Sequence, residues 1–166
     1  MPDLSLVLAP QVPADQAAIE KLDERVFGPG RFARSAYRLR EGVAADYSLS
    51  YVARVGTLLV GANRMTPICC GGKPALLLGP LSVEPAFRSA GIGEALVMKS
   101  LEAARAAGHR LVLLVGDMAY YERMGFQPVP EGRLVFPGPV DPQRLLYCAL
   151  NKAAFDGISG RVTRAI

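Results

Sequence analysis

The 166-residue sequence predicts one mixed α/β (α+β) domain over residues 1–166, with a mostly antiparallel sheet and a single parallel βαβ pair at its centre. Three observations carry this. Three β-type runs between Ser48 and Val83 are separated only by short turns, which makes an antiparallel meander. The third run leads into a long amphipathic stretch and then a continuously apolar one, and two strands joined through a helix must lie parallel with a right-handed crossover. The composition, 51% hydrophobic and 20% charged, suits a chain long enough to bury a core.

In chain order, MPDLSLVLAP has no basic leader and alternates as a strand does, so it is not read as a secretory signal. Pro13 to Phe27 sets Ala18, Ile19, Leu22, Val26 and Phe27 along one side of a helix that Gly28-Pro29-Gly30 ends. Arg31 to Arg40 spaces Arg31, Arg34, Tyr37 and Arg38 helically, as a solvated face or as a contact for substrate or phosphate. The meander is Ser48–Arg54, Thr57–Met65 and Pro74–Val83, turned at Val55-Gly56 and at CCGGK (Cys69–Lys73). The helix from Gly91 to Gly108 turns Ile92, Leu96, Val97, Leu101, Ala104 and Ala107 to the sheet and Glu94, Lys99, Glu102 and Arg105 to solvent. Leu111 to Val115 is the central strand, covered on both faces. In the loop-rich remainder, RLLYCAL (Arg144–Leu150) is the last strand and Asn151–Val162 a closing loop.

Charge and cysteines narrow the function classes. The formal net charge is +4 with the basic residues scattered, which suits a small anionic ligand as readily as nucleic acid. Tyr37 is the aromatic interleaved with the arginines of 31–40, thin support for base stacking, so no nucleic-acid partner is expected. No run approaches the ~18 apolar residues of a membrane span, so no membrane partner is expected either. Three cysteines, two adjacent at Cys69 and Cys70, give neither a disulfide set nor zinc spacing, which implies a reducing cytoplasm and no metal.

The chemistry concentrates in RSAGIG, Arg88 to Gly93, between strand and helix. A helix N-terminus leaves its first N–H groups unpaired and carries about half a positive charge. Bare glycines at 91 and 93 keep side chains from those amides and Arg88 adds a fixed cation, a cradle for phosphate or pyrophosphate. GIGEAL begins like the dinucleotide fingerprint, but its third small position is Leu96 and its first glycine comes eight residues after Val83. The nucleoside-triphosphatase loop is excluded because no Gly-Lys-Ser/Thr follows.

Arg88-x-x-Gly91-x-Gly93, preceded by a strand and VEPAF, resembles the pyrophosphate loop of the GNAT superfamily of N-acetyltransferases, Gln/Arg-x-x-Gly-x-Gly/Ala. YYERMGF (Tyr120–Phe126) resembles that family's Tyr-x-x-x-Gly-Phe segment, and LLLGPL and GD-x-x-YY are like elements of a bacterial branch. The likeness is specific over about Ala75 to Gln127. It implies helices on both faces of the sheet and a central parallel pair that splays to bind acetyl-CoA. The pantetheine arm would bond the backbone of Leu81, Ser82 and Val83, and the pyrophosphate the amides of Arg88, Ser89, Ala90, Gly91, Ile92, Gly93 and Glu94. Gly79-Pro80 is where the strands should part, since proline lacks a ladder donor and glycine permits a bulge.

Acetyl transfer to an amine needs a deprotonated amine, an oxyanion partner and a proton for the leaving thiolate. Tyr121, at the family's tyrosine position, is the general acid, because a phenol of pKa near ~10 is protonated at neutral pH. A backbone N–H such as that of Val83 would hold the oxyanion, and Glu84 or Asp117, each after a strand end, would be the base. His109 precedes its strand and so stands at the wrong end. The acceptor is a small-molecule or peptide amine that the sequence does not identify: acidic residues lining its pocket would favour a polyamine or lysine, arginines such as Arg40 or Arg64 an acceptor carrying a carboxylate; a homodimer stays open. The alternative is a domain that binds acyl-CoA without turnover.

Overall fold

Alternating apolar residues and glycine-marked turns produce the strands, and their unequal lengths decide the topology. The computed structural model describes residues 5–30 and 35–165; Arg31 and Arg34 of the charged helical face lie outside them. Nine strands are present among these residues: β1 Leu6–Pro10, β2 Tyr51–Val55, β3 Leu58–Cys70, β4 Lys73–Val83, β5 Leu111–Val115, β6 Gln127–Pro128, β7 Leu134–Val135, β8 Leu145–Ala149 and β9 Gly160–Arg164. They run in the order β1-β2-β3-β4-β5-β8-β6, with β9 joining β3 to β7. The helices are α1 Gln16–Phe27, entered by a 3-10 turn at Pro13–Asp15, α2 Ser35–Arg40, α3 Ile92–Ala106 and α4 Met118–Tyr121.

The meander and the crossover form as expected, with β4 and β5 parallel and their neighbours antiparallel. Strand β5 faces two cores in alternation. Leu111 and Leu113 pack with Leu39 of α2 and with Leu77, while Val112 and Leu114 pack with Leu76, Val97 and Leu101 under α3. Helix α1 lies on the same face as α2, its Ile19 and Leu22 packed on Val52, Leu59 and Ala62. Helix α3 therefore covers one face and α1 with α2 the other. Its approach to β3 is close because residue 61 is glycine: a Cβ there would stand 2.9 Å from Leu96 Cδ1.

Two sequence expectations need correction. Ala107 is exposed, because α3 has ended at Ala106 and residue 107 only caps it. Strand β8 is not the last strand, and the segment after it is not only a closing loop. Strand β3 has 13 residues and β2 only 5, so the end of β3 extends past its neighbour with unmet backbone groups. Strand β9 fills that edge, pairing Val162, Thr163 and Arg164 with Cys70, Cys69 and Ile68.

Candidate active site

The site begins where two parallel strands stop pairing. Only Leu76 with Val112 and Leu77 with Leu113 align across β4 and β5. On its other side β4 carries one residue more than β3: Leu78 faces Met65 and Leu81 faces Asn63, so Gly79 and Pro80 together oppose Arg64. The Gly79–Pro80 bond is cis, and Gly79 holds φ of +120°. A bulge that lacks one ladder donor bends β4 away from β5 at the position the sequence expects.

Register decides which backbone groups face the resulting gap. The Glu84 N–H donates to the Val60 carbonyl at 2.8 Å, so Glu84 and, two residues back, Ser82 direct their backbone groups at β3. Leu81 and Val83 direct theirs the other way, into the gap. Ser82 is thus separated from its two neighbours: its backbone serves β3, and its hydroxyl donates to Asp23 of α1.

Beyond β4 a 3-10 segment, Pro85–Ala90, carries the exposed Arg88 and leads to Gly91. Gly91 is left-handed at φ +74°, and no atom lies within 4 Å of where its Cβ would be. The first helical bond of α3 runs from the Ala95 N–H to the Gly91 carbonyl, which leaves the N–H groups of Ile92, Gly93 and Glu94 ahead of it. Gly93 is glycine for another reason than the one the sequence suggests. It is buried, and the room a side chain would need is taken by the Tyr120 hydroxyl, with Val83 Cγ2 at 3.5 Å and Leu81 Cδ2 at 3.6 Å. Glu94 stands 3.8 Å from Arg123, and both are exposed enough for solvent to weaken the pair.

A cavity of about 950 Å3 passes through the sheet at the gap. Asp23, Arg40 and Arg64 line it on the α1 and α2 face, Leu81, Tyr120 and Tyr121 on the α3 face. Tyr121 is set by packing. Its ring meets Tyr120 edge-on at 4.9 Å and Phe126 at 5.7 Å, and lies over Gly116, where a Cβ would come 2.6 Å from its Cε2. Burial first, then Tyr120, pushes the phenol far above its usual pKa, and the Arg144 cation opposes this. Tyr120 is also raised, by burial and by Glu94, against Arg123 over its ring at 5.6 Å.

The two nominated bases part company. Glu84 is bound to Arg25 at 2.7 Å and does not line the cavity. Asp117 does line it, and its Oδ1 accepts the Ala119 N–H as the cap of α4. Sequence reasoning misses Asp23, although it has a legible signal, a carboxylate within the apolar stripe of α1 between Ile19 and Phe27; Arg64, weighed there with Arg40 as a contact for an acceptor's carboxylate, does line the cavity.

Strands that part over a helix start whose first amides precede the helical bonds, with a cavity running through the sheet, define an acyltransferase-like α/β fold. A family model described as an acetyltransferase (GNAT) domain matches residues 46–128. The N-acetyltransferase YjhQ of Escherichia coli K12 is 31% identical over 130 residues, covering 76% of this chain and 71% of that protein. The chain belongs to the GNAT acetyltransferase family. It is also similar to the E. coli GNAT N-acetyltransferase YhbS, whose crystal structure in complex with CoA superposes with a TM-score of 0.82 at 25% identity over 99% of this chain and 92% of that one. A GNAT acetyltransferase from Brucella melitensis in complex with acetyl-CoA gives 0.64 at 30% identity, over 92% and 99%.

Proposed function

We propose that this chain transfers an acetyl group from acetyl-CoA to a primary amine by direct attack, with Tyr121 as the proton donor. The parting of β4 from β5 carries this reading, because it leaves the backbone groups of Leu81 and Val83 facing a gap in which an extended amide-bearing arm can replace a strand. The amides of Ile92, Gly93 and Glu94 with Arg88 suit a pyrophosphate. Bound there, acetyl-CoA supplies a thioester whose carbonyl carbon the amine attacks with loss of the thiol.

This chain's residues then divide the work. The N–H of Val83 meets negative charge on the carbonyl oxygen, while Leu81 is left to the extended arm. Asp117, whose carboxylate makes no further hydrogen bond among the described residues beyond its cap, takes the proton of the acceptor ammonium into the cavity. Tyr121 holds its proton at Oη well past neutral pH and offers it to the departing sulfur, while Arg144 makes the phenolate less costly. Glu84, tied to Arg25, fixes the end of β4. The three free cysteines support work in a reducing cytoplasm; no helix among the described residues is long and apolar enough to cross a membrane.

The test is thiol release from acetyl-CoA over an amine panel, repeated with Tyr121→Phe. The ring stays, so folding and CoA affinity should hold while kcat falls ~10²- to 10⁴-fold, the range of a lost general acid. Full kcat in the variant, with every accepted amine, refutes the role. CoA binding without release from any amine would favour a binding domain instead.

A further inference from the structure

Resting on that reading, we propose that the acceptor is a free amino acid, whose own carboxylate is received by Arg64 and Arg40 while its amine faces the gap. Arg64 stands opposite the bulge itself, and alternation along β3 puts it with Ala62 and Thr66 on the α1 and α2 face, away from the pyrophosphate loop. Its guanidinium is anchored from behind by two neutral acceptors, Thr66 Oγ1 at 2.9 Å and the Val43 carbonyl at 2.6 Å. That uses two of five N–H bonds and leaves a fork toward the cavity. Arg64 is in no ion pair among the described residues; burial presses on its charge, and the Asp23 carboxylate in the same cavity offsets part of that. A half-buried guanidinium held this way is matched by an anion that arrives with a ligand.

Arg40 sharpens the location. Its Nη2 lies 3.1 Å from where a Cβ on Gly79 would stand, so a second guanidinium borders the bulge. An anion there lies beside the bulge at which the gap opens, which suits a carboxylate carried close to the attacking nitrogen. The cavity also carries Asp23 and Glu20 on α1, to which an ammonium is drawn. Acids alone would suit a polyamine. Both signs in one cavity suit a zwitterion.

The experiment compares molecules that differ in the carboxylate: phenylalanine with phenylalaninamide and phenethylamine, leucine with leucinamide and isoamylamine, lysine with cadaverine, and a short peptide with a free N-terminus and an internal lysine. Thiol release gives kcat/KM for each, and the thermal shift of the CoA-loaded protein gives binding apart from turnover. At least one carboxylate form should be preferred about tenfold or more in both readouts, as expected of a charge-assisted contact. The preference should fall to near one in Arg64→Gln and be partly kept in Arg64→Lys, which retains the charge without the planar fork. Being a ratio within one sample, it is not mimicked by a poorly folded variant. Equal use of the carboxylate-free partners, acetylation of the peptide alone, an unchanged preference in Arg64→Gln, or no carboxylate form bound overturns the proposal. Tyr121→Phe separates it from the parent reading, since that change lowers kcat for both members of a pair and leaves their ratio intact.

Discussion

Gly116→Ala tests how Tyr121, the proposed proton donor, is positioned without changing that residue. A Cβ at residue 116 would stand 2.6 Å from Tyr121 Cε2 and 3.1 Å from both Tyr121 Cδ2 and Leu114 Cδ1, where ordinary contact begins at 3.4 Å. The backbone cannot swing aside cheaply, because the Gly116 N–H is bonded to the Arg144 carbonyl at 2.9 Å. The ring must therefore retreat by about 0.8 Å, and Phe126 and Tyr120 stand around it. Overpacking of this kind costs about 1–3 kcal/mol of stability. Displacement of a reacting group by about 1 Å lowers kcat by up to ~10²-fold. The assay is steady-state thiol release by wild type, Gly116→Ala, Tyr121→Phe and the double variant, with thermal melts to verify folding. If residue 116 acts through the phenol, the double variant should match Tyr121→Phe to within about threefold, because a group already removed cannot be misplaced. Full kcat in Gly116→Ala, or losses that multiply in the double variant, would refute the reasoning.

Two further outcomes follow from the loop and the core. Gly91→Asp should cut CoA affinity by at least about tenfold, since it brings negative charge to the amides and a side chain to a left-handed position; Gly91→Ala, which adds strain without charge, should cost less, and equal affinity for CoA in titration calorimetry across all three proteins counts against the pyrophosphate site. Burial pushes the Cys70 thiol up to about 12 and raises Cys148, so at pH 8 both stay protonated and covered while Cys69 is partly exposed. Brief alkylation of the folded protein should label Cys69 first by mass spectrometry, and equal labelling of Cys70 would contradict the core packing.

Much of this fold was legible because its signals are local. The period of α3, the continuous apolar run of β5 and the turns of the meander are set by neighbours in sequence, and the structure follows them. The C-terminal segment was misread for the opposite reason. Gly160–Arg164 has weak strand character, and it pairs because β3 leaves an edge roughly 90 residues earlier in the chain. The site divides the same way. RSAGIG and Gly79-Pro80 could be found as short patterns, but the pattern did not say why residue 93 is glycine; Tyr120, 27 positions away, did. Nor does it show that Glu84 and Asp117 differ in surroundings, since both follow strand ends and only the fold brings Arg25 of α1 to Glu84 and sets Asp117 on the cavity wall.

By itself the sequence determined the parallel pair, the point where it parts and the glycine-marked helix start, because backbone geometry and residue type within a few positions dictate each of these. The tertiary structure alone decided which of Leu81, Ser82 and Val83 face the gap, what holds Tyr121, and that Arg40 and Arg64 line one cavity. Those depend on register and on side chains brought together from distant segments, and no local pattern encodes a distance across a core.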